Sequence, residues 1–173
     1  YEGMDKITKT TVPMIAIPTT SGTGSEVTSF SIVSDRARKR KMVLAGRAIA
    51  ADVALVDPLL TLSMPQSVTA STGMDAMTHA IEAALSTIAT PLTDLNAYKA
   101  IALIYLYLPK VVRSPDDIEA RSQVMLGSLL AGIAFNSAIL GLAHAIAHPL
   151  GVVCGLPHGL ANAIVLPEVV AFN

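Results

Sequence analysis

Asp75 and His79 stand four residues apart in Gly-Met-Asp-Ala-Met-Thr-His, and His144 and His148 repeat that spacing in Leu-Ala-His-Ala-Ile-Ala-His-Pro. His158 follows in Leu-Pro-His-Gly, so all 4 histidines of the chain fall within these segments. A spacing of four puts two side chains on one face of a helix, one turn apart. Two such turns and one further residue can converge on a single ion. Taken singly, each histidine is better explained as a packed, hydrogen-bonded core residue. As a set that explanation is costly, because burying imidazoles and a carboxylate in an apolar region needs compensation. A metal supplies it for all of them at once. Imidazoles with one carboxylate and no thiolate suit iron or zinc, whereas calcium and magnesium prefer oxygen shells. Spacing alone does not choose between the two metals, nor between a closed structural zinc site and a centre with room for a substrate oxygen.

A second candidate is Pro18-Thr19-Thr20-Ser21-Gly22-Thr23-Gly24-Ser25-Glu26, directly after an expected strand. Small hydroxyl residues with Gly22 and Gly24 let backbone amides approach an anion closely. The segment lacks the Gly-Lys-Ser/Thr of a Walker loop and the six-residue dinucleotide fingerprint. A plain turn of the same composition is the competing reading.

The elements that must position these residues change character near residue 63. Before it, short apolar runs alternate with turn signals, and strands are expected at Met14 to Ile17, Phe30 to Val33, Met42 to Ala45 and Val53 to Val56. The basic run Arg36-Ala37-Arg38-Lys39-Arg40-Lys41 reads as a solvated hairpin tip. After residue 63, helices are expected at Gly73 to Leu85, Leu92 to Leu108, Asp116 to Phe135, Ile139 to His148 and His158 to Ala171. Prolines 91, 109, 115, 149 and 157 are expected to punctuate them at or near their ends, and His148, before Pro149, to end its helix. The expected fold is a small β-rich lobe followed by a helical one.

Composition narrows the classes of function. The formal net charge of -1 argues against nucleic-acid binding, which needs a broad basic face. The chain is 52% hydrophobic without Trp, so the core must be aliphatic and closely packed. A single cysteine, Cys154, fits a reducing compartment and therefore a cytoplasmic location; it is expected to be a small buried residue, not a nucleophile. Tyr1 to Thr11 has no apolar signal-peptide core. No Asp, Glu, Lys or Arg occurs between Arg121 and Glu168, so Val124 to Ala143 also has the length and apolarity of a membrane span. Against that, Gln123, Asn136 and three of the histidines lie in or beside the stretch, and no Lys/Arg cluster flanks it. No membrane association is expected.

Together these motifs resemble the iron-containing alcohol dehydrogenases. Residues 18–28, 73–82 and 141–151, with Leu-Pro-His-Gly at 156–159, are similar to that family's threonine loop and its two metal motifs. The resemblance implies Asp75, His79, His144 and His158 as ligands of Fe(II), with zinc as the alternative. It places His148 near the nicotinamide without ligating, and implies Thr19, Thr20, Thr23, Thr28, Lys41 and Leu62 along an NAD or NADP cofactor, with Gly22 in the same loop. It further implies an α/β remnant followed by an all-α part. Residues 1–62 would be the end of a dinucleotide-binding lobe, and 63–173 an incomplete metal-binding helical lobe. Family members carry a Gly-Gly-Gly-Ser pyrophosphate loop upstream and several helices downstream, so the chain reads as the middle of such an enzyme, and cofactor binding is the function this touches most.

The chemistry implied is hydride transfer between a small alcohol or aldehyde and a nicotinamide, with the metal as Lewis acid. His148 is a candidate proton relay or orienting group. Glu82, seven residues after Asp75, is expected to be an exposed, salt-bridging residue. The alternatives are a metal-binding fragment without catalysis, a membrane protein whose histidines line a metal path, and a metal-assisted hydrolase, which leaves the threonine loop unexplained. Uncovered apolar surface would favour a homo-oligomer.

Overall fold

The apolar runs at the start of the chain are too short and too often broken by Gly and Pro to do more than pair as brief strands. In the computed structural model, which describes residues 1–173 except Thr10, Arg36 and Lys39 (and Arg40 by its backbone alone), they form two small sheets. β3 (Phe30–Asp35) and β4 (Arg40–Ala45) make an antiparallel hairpin, and β1 (Gly3–Met4) adds to β4 in parallel. β2 (Ile15–Ala16) pairs in parallel with β5 (Val53–Ala54). All four expected strands are present with shifted ends. The basic run does lie at the hairpin's tip, though its Arg36 and Lys39 fall outside the described residues.

Five helices follow: α1 (Gln66–Leu85), α2 (Pro91–Arg113), α3 (Ile118–Ala138), α4 (Leu142–Cys154) and α5 (His158–Phe172). The chain is thus a small α/β part followed by an all-α part. Thr90 caps α2 through a reciprocal bond with Thr93, and Asp117 caps α3 by accepting from the Ala120 N–H at 2.9 Å. α1 is buried nearly all round. α2 and α3 cover one side of it, and α4 and α5 the other. Alanines allow the close approach. Ala76, Ala80 and Ala83 of α1, Ala97 and Ala100 of α2, and Ala131, Ala134 and Ala138 of α3 are all fully buried.

Three helix boundaries differ from expectation. α1 begins at Gln66, a full two turns before Gly73, although Thr69, Thr72 and Gly73 are weak helix formers. Burial of Thr69 and Gly73 against the bundle outweighs that propensity. α2 runs one turn past Pro109 to Arg113 instead of ending at Leu108, because that last turn is anchored by buried Val111 and by Gln66, whose Nε2 donates to the Val112 carbonyl at 2.5 Å. The fourth helix starts at Leu142, not Ile139, and runs through Pro149 to Cys154, so His148 does not end it. Ile139 has φ 65°, a left-handed conformation that breaks the helical path. Buried His144 and Ala147 hold the turn across Pro149. Cys154, at the end of α4, is exposed and not buried as expected, because that last turn projects into solvent, with Val153 beside it 81% exposed.

Among the described residues no single helix is long and apolar enough to cross a membrane. The uncharged stretch is divided between α3 and α4, which meet at 107°. Asn136, the polar residue within it, accepts the Ser29 backbone N–H at 2.8 Å and so ties α3 to the start of β3.

The threonine loop is seated on this helical frame. Gly24, at φ 59°, lies so near Gly132 of α3 that a Cβ on it would come within 2.7 Å of the Gly132 Cα. The 3-10 turn Ser25–Val27 then buries Glu26 to 5% exposure. Burial raises the Glu26 carboxyl above its ordinary value, and its own backbone N–H only partly opposes this. For a raised folded-state value, the associated stability is present below the unfolded value and lost as pH rises through the folded one. Glu26→Gln is expected to be more stable than the unaltered chain at neutral pH, with the difference vanishing in acid. Urea unfolding at acid and neutral pH reads both points.

Candidate metal centre

α1 presents Asp75, His79 and Glu82 along one stripe, at i, i+4 and i+7, and all three are buried. α4 brings His144 to the same place, and α5 brings His158 at its first turn. The Nε2 atoms of His79, His144 and His158 lie 3.9, 3.5 and 3.5 Å from Asp75 Oδ1. All three are beyond ordinary hydrogen-bond length. Two donors on one tetrahedral ion at about 2.1 Å sit about 3.4 Å apart, which these separations match. Donor atoms of Asp75, His79 and His144 all fall within 4.8 Å of one another, and His158 joins them through Asp75 from the more open side, its side chain 40% exposed. One carboxylate and three imidazoles without thiolate fit a divalent transition ion.

Outer contacts orient the imidazoles. His79 Nδ1 faces the Gly22 carbonyl at 3.2 Å; a carbonyl only accepts, so the proton is on Nδ1 and Nε2 is bare. His144 Nδ1 faces Glu82 Oε2 at 2.5 Å. Asn162, one turn after His158 and fully buried, donates from Nδ2 to Asp75 Oδ1 at 2.7 Å and lies 3.0 Å from His144 Nε2. Glu82 is therefore not the exposed, salt-bridging residue its surroundings in the sequence suggest. Nothing local marks it, because only α4 packing across α1 buries it. Asn162 was also missed, although its i, i+4 relation to His158 repeats that of the two other pairs.

The charges separate by environment. Burial alone would raise the Asp75 carboxyl, but the neighbouring His79, His144 and His158 hold it down to about 2. Burial drives His79 to about 4 against the pull of Asp75. For His144, burial is outweighed by Asp75 and Glu82, so its value is raised. His148, half-buried, is lowered to about 4 by burial, then by His158, His144 and Lys41. At neutral pH Asp75 is ionised, while His79 and His148 are neutral.

These groups floor a cleft of about 600 Å³. Phe30, Phe135, Ile139 and Leu140 form an apolar wall. Thr23, Ser25, Thr28 and Lys41 also line it, with Lys41 Nζ donating to Ser34 Oγ at 2.9 Å. Of the expected cofactor contacts, Thr23, Thr28 and Lys41 thus face the cleft together with His148. Thr19, Thr20 and Leu62 do not line it: Thr19 and Leu62 are exposed and Thr20 is half-buried. Gly22 lies beneath it, where a Cβ would come within 2.7 Å of the Thr72 Cβ. Ile139 holds a β-branched side chain at a left-handed φ in the cleft wall, the kind of local strain that clusters at functional sites.

Comparison with known proteins places this geometry in a family. Residues 1–58 match the model of the iron-containing alcohol dehydrogenases, and residues 69–173 match the C-terminal model of the Fe-containing alcohol dehydrogenase family. The chain is similar to the NAD-dependent methanol dehydrogenase of Bacillus methanolicus, at 47% identity over 173 residues, covering 100% of this chain and 45% of that protein. It superposes on the crystal structure of a 1,3-propanediol oxidoreductase with a TM-score of 0.96 at 43% identity, over 99% of this chain and 45% of the other. The sulfoacetaldehyde reductase from Bifidobacterium kashiwanohense, solved in complex with NAD+, gives 0.90 at 40% identity, over 94% and 43%. The chain spans less than half the length of these relatives. It belongs to the iron-containing alcohol dehydrogenase family.

Proposed function

We propose that the chain carries the metal-binding part of an NAD(P)-linked alcohol dehydrogenase acting on a small alcohol or aldehyde. The observation that supports this best is the convergence of three imidazole Nε2 atoms on Asp75 Oδ1 at the floor of a cleft. Asp75, His79, His144 and His158 are the proposed ligands, and Fe(II) the proposed ion. When bound, the ion supplies Lewis acidity to the substrate oxygen and a nicotinamide supplies or accepts the hydride.

The chain's own residues have distinct parts in this reading. Phe30, Phe135, Ile139 and Leu140 hold the carbon end of the substrate and exclude water. Thr23, Thr28 and Lys41 face the cofactor, with Lys41 supplying positive charge on that side. Neutral His148 can accept a proton leaving the substrate side, since it lines the cleft with its ring 5.1 Å from that of His158. Thr19, Thr20 and Leu62, away from the cleft, belong to this proposal only as contacts to more distant parts of the cofactor. Association with further copies of the chain stays part of it, and the exposed apolar face of α2, with Leu92, Leu95 and Tyr105, is surface available for that.

The test is nicotinamide-linked reduction of a panel of small aldehydes by the chain loaded anaerobically with Fe(II), against a metal-free control. Metal-dependent turnover is expected. Bound iron without turnover would replace this reading with that of a metal-binding fragment that needs further segments for chemistry.

A further inference from the structure

We propose that Glu82 is the positioning residue of this centre: its carboxylate caps α4 and holds the proton of His144 on Nδ1, leaving the Nε2 lone pair to face the other donors. The inference rests on the metal reading above for its purpose, but its geometry stands alone.

The first N–H groups of a helix have no partner within it. The N-cap of α4 is Gly141, which offers no side chain to cap them. Glu82 reaches across from α1 instead. Its Oε1 accepts the backbone N–H of Ala143 at 2.6 Å and of His144 at 3.3 Å, where a negative charge is favoured by the helix dipole. Its other oxygen, Oε2, meets His144 Nδ1 at 2.5 Å. An ionised carboxylate only accepts, so Nδ1 must carry the proton, and in the neutral ring that leaves Nε2 bare. A second contact agrees: the Asn162 amide nitrogen, a donor, lies 3.0 Å from His144 Nε2. The absence of a side chain at 141 is part of the arrangement, since a Cβ there would come within 3.2 Å of Glu82 Oε1.

One carboxylate thus sets both where α4 starts and how its first histidine is turned. Asp75, His79 and Glu82 form a single stripe of α1, so that stripe supplies two proposed ligands and the group that orients a third. At His79 the Gly22 carbonyl holds Nδ1 in the same way. A partner of this kind fixes ring orientation and raises ligand basicity.

Glu82→Gln separates the two duties. The amide oxygen still accepts from the α4 backbone, whereas its NH2 group would face Nδ1 as a donor. The proton is then expected to move to Nε2, which can no longer ligate. Long-range 15N–1H spectra of the metal-free chain, labelled at histidine, read the tautomer directly. Competition for Co(II) or Zn(II) against a chromophoric chelator reads affinity. The unaltered chain should show His144 protonated at Nδ1. Glu82→Gln should show it at Nε2, with affinity lower by about 10–100-fold and a melting temperature close to that of the unaltered chain. His144 protonated at Nε2 in the unaltered chain would overturn the proposal, and that spectrum serves even where the variant folds poorly. So would a Glu82→Gln chain that keeps Nδ1–H and full affinity. A tautomer that moves as expected in a chain binding neither ion would support the positioning role and sink the metal reading instead.

Discussion

Asp75→Asn is expected to lose metal affinity by more than the roughly 10–100-fold that removal of an outer partner costs. Asp75 Oδ1 is the atom on which His79, His144 and His158 all converge, and its carboxylate is the only acidic group among the four proposed ligands. Asparagine keeps the shape and an oxygen able to accept from Asn162, so the packing of α1 against α5 survives while the charge is removed. The consequence appears in stability as well. Ligand at 100 times its Kd stabilises a folded chain by about 2.7 kcal/mol, and a variant that does not bind gains nothing. Metal content after dialysis and thermal unfolding with and without Fe(II) or Zn(II) measure both effects. A variant that retains the unaltered chain's affinity and its metal-induced shift would mean that these donors do not share an ion.

The second large effect is expected at Gly159. α5 crosses α1 there so closely that a Cβ on residue 159 would lie 1.9 Å from the Ser71 carbonyl oxygen and 2.6 Å from its carbon. Backbone cannot swing aside as a side-chain tip does, so Gly159→Ala must push the two helices apart. Overpacking of a closed interior costs about 1–3 kcal/mol, and a clash with main chain belongs at or above the top of that range. Helix propensity alone predicts the opposite sign, a gain of about 1 kcal/mol for Gly to Ala, so the sign of the change decides which effect wins. The site should suffer with the fold, because His158 and Asn162 flank residue 159 and reach Asp75 only through this crossing. Gly73→Ala is a useful comparison. Its Cβ would meet the Leu108 side chain at 2.4 Å, which can rotate away, so the loss should be smaller. Urea unfolding of the two variants gives the comparison, and a Gly159→Ala chain as stable as the original would contradict the α1–α5 contact.

How much of this was legible beforehand follows from the range over which each feature is determined. The i, i+4 pairs at 75 and 79 and at 144 and 148 could be read directly, since helical geometry alone places such residues on one face. The strands before residue 63 and the helices after it were legible for the same local reason, the period of their apolar residues. Local rules failed where packing opposed them. Proline rules placed a helix end at His148, yet burial of His144 and Ala147 carries α4 through Pro149. Weak helix formers hid the first two turns of α1, which burial of Thr69 holds in place.

Glu82 marks the boundary most sharply. A glutamate on a helix reads as a solvated residue unless something covers it, and what covers it here is the start of α4, 61 residues away in sequence. Gly22 is similar: its place in a small-residue loop marks a candidate anion contact, but that its carbonyl faces His79 Nδ1, 57 residues away, is visible only in the fold. Which donors exist and which of them share a helical face follow from residue type and a period of a few residues, and so could be read along the chain. Which faces meet, how deeply each group is buried and which ring nitrogen is bare depend on contacts between helices that are distant along the chain, and so emerge only once it folds.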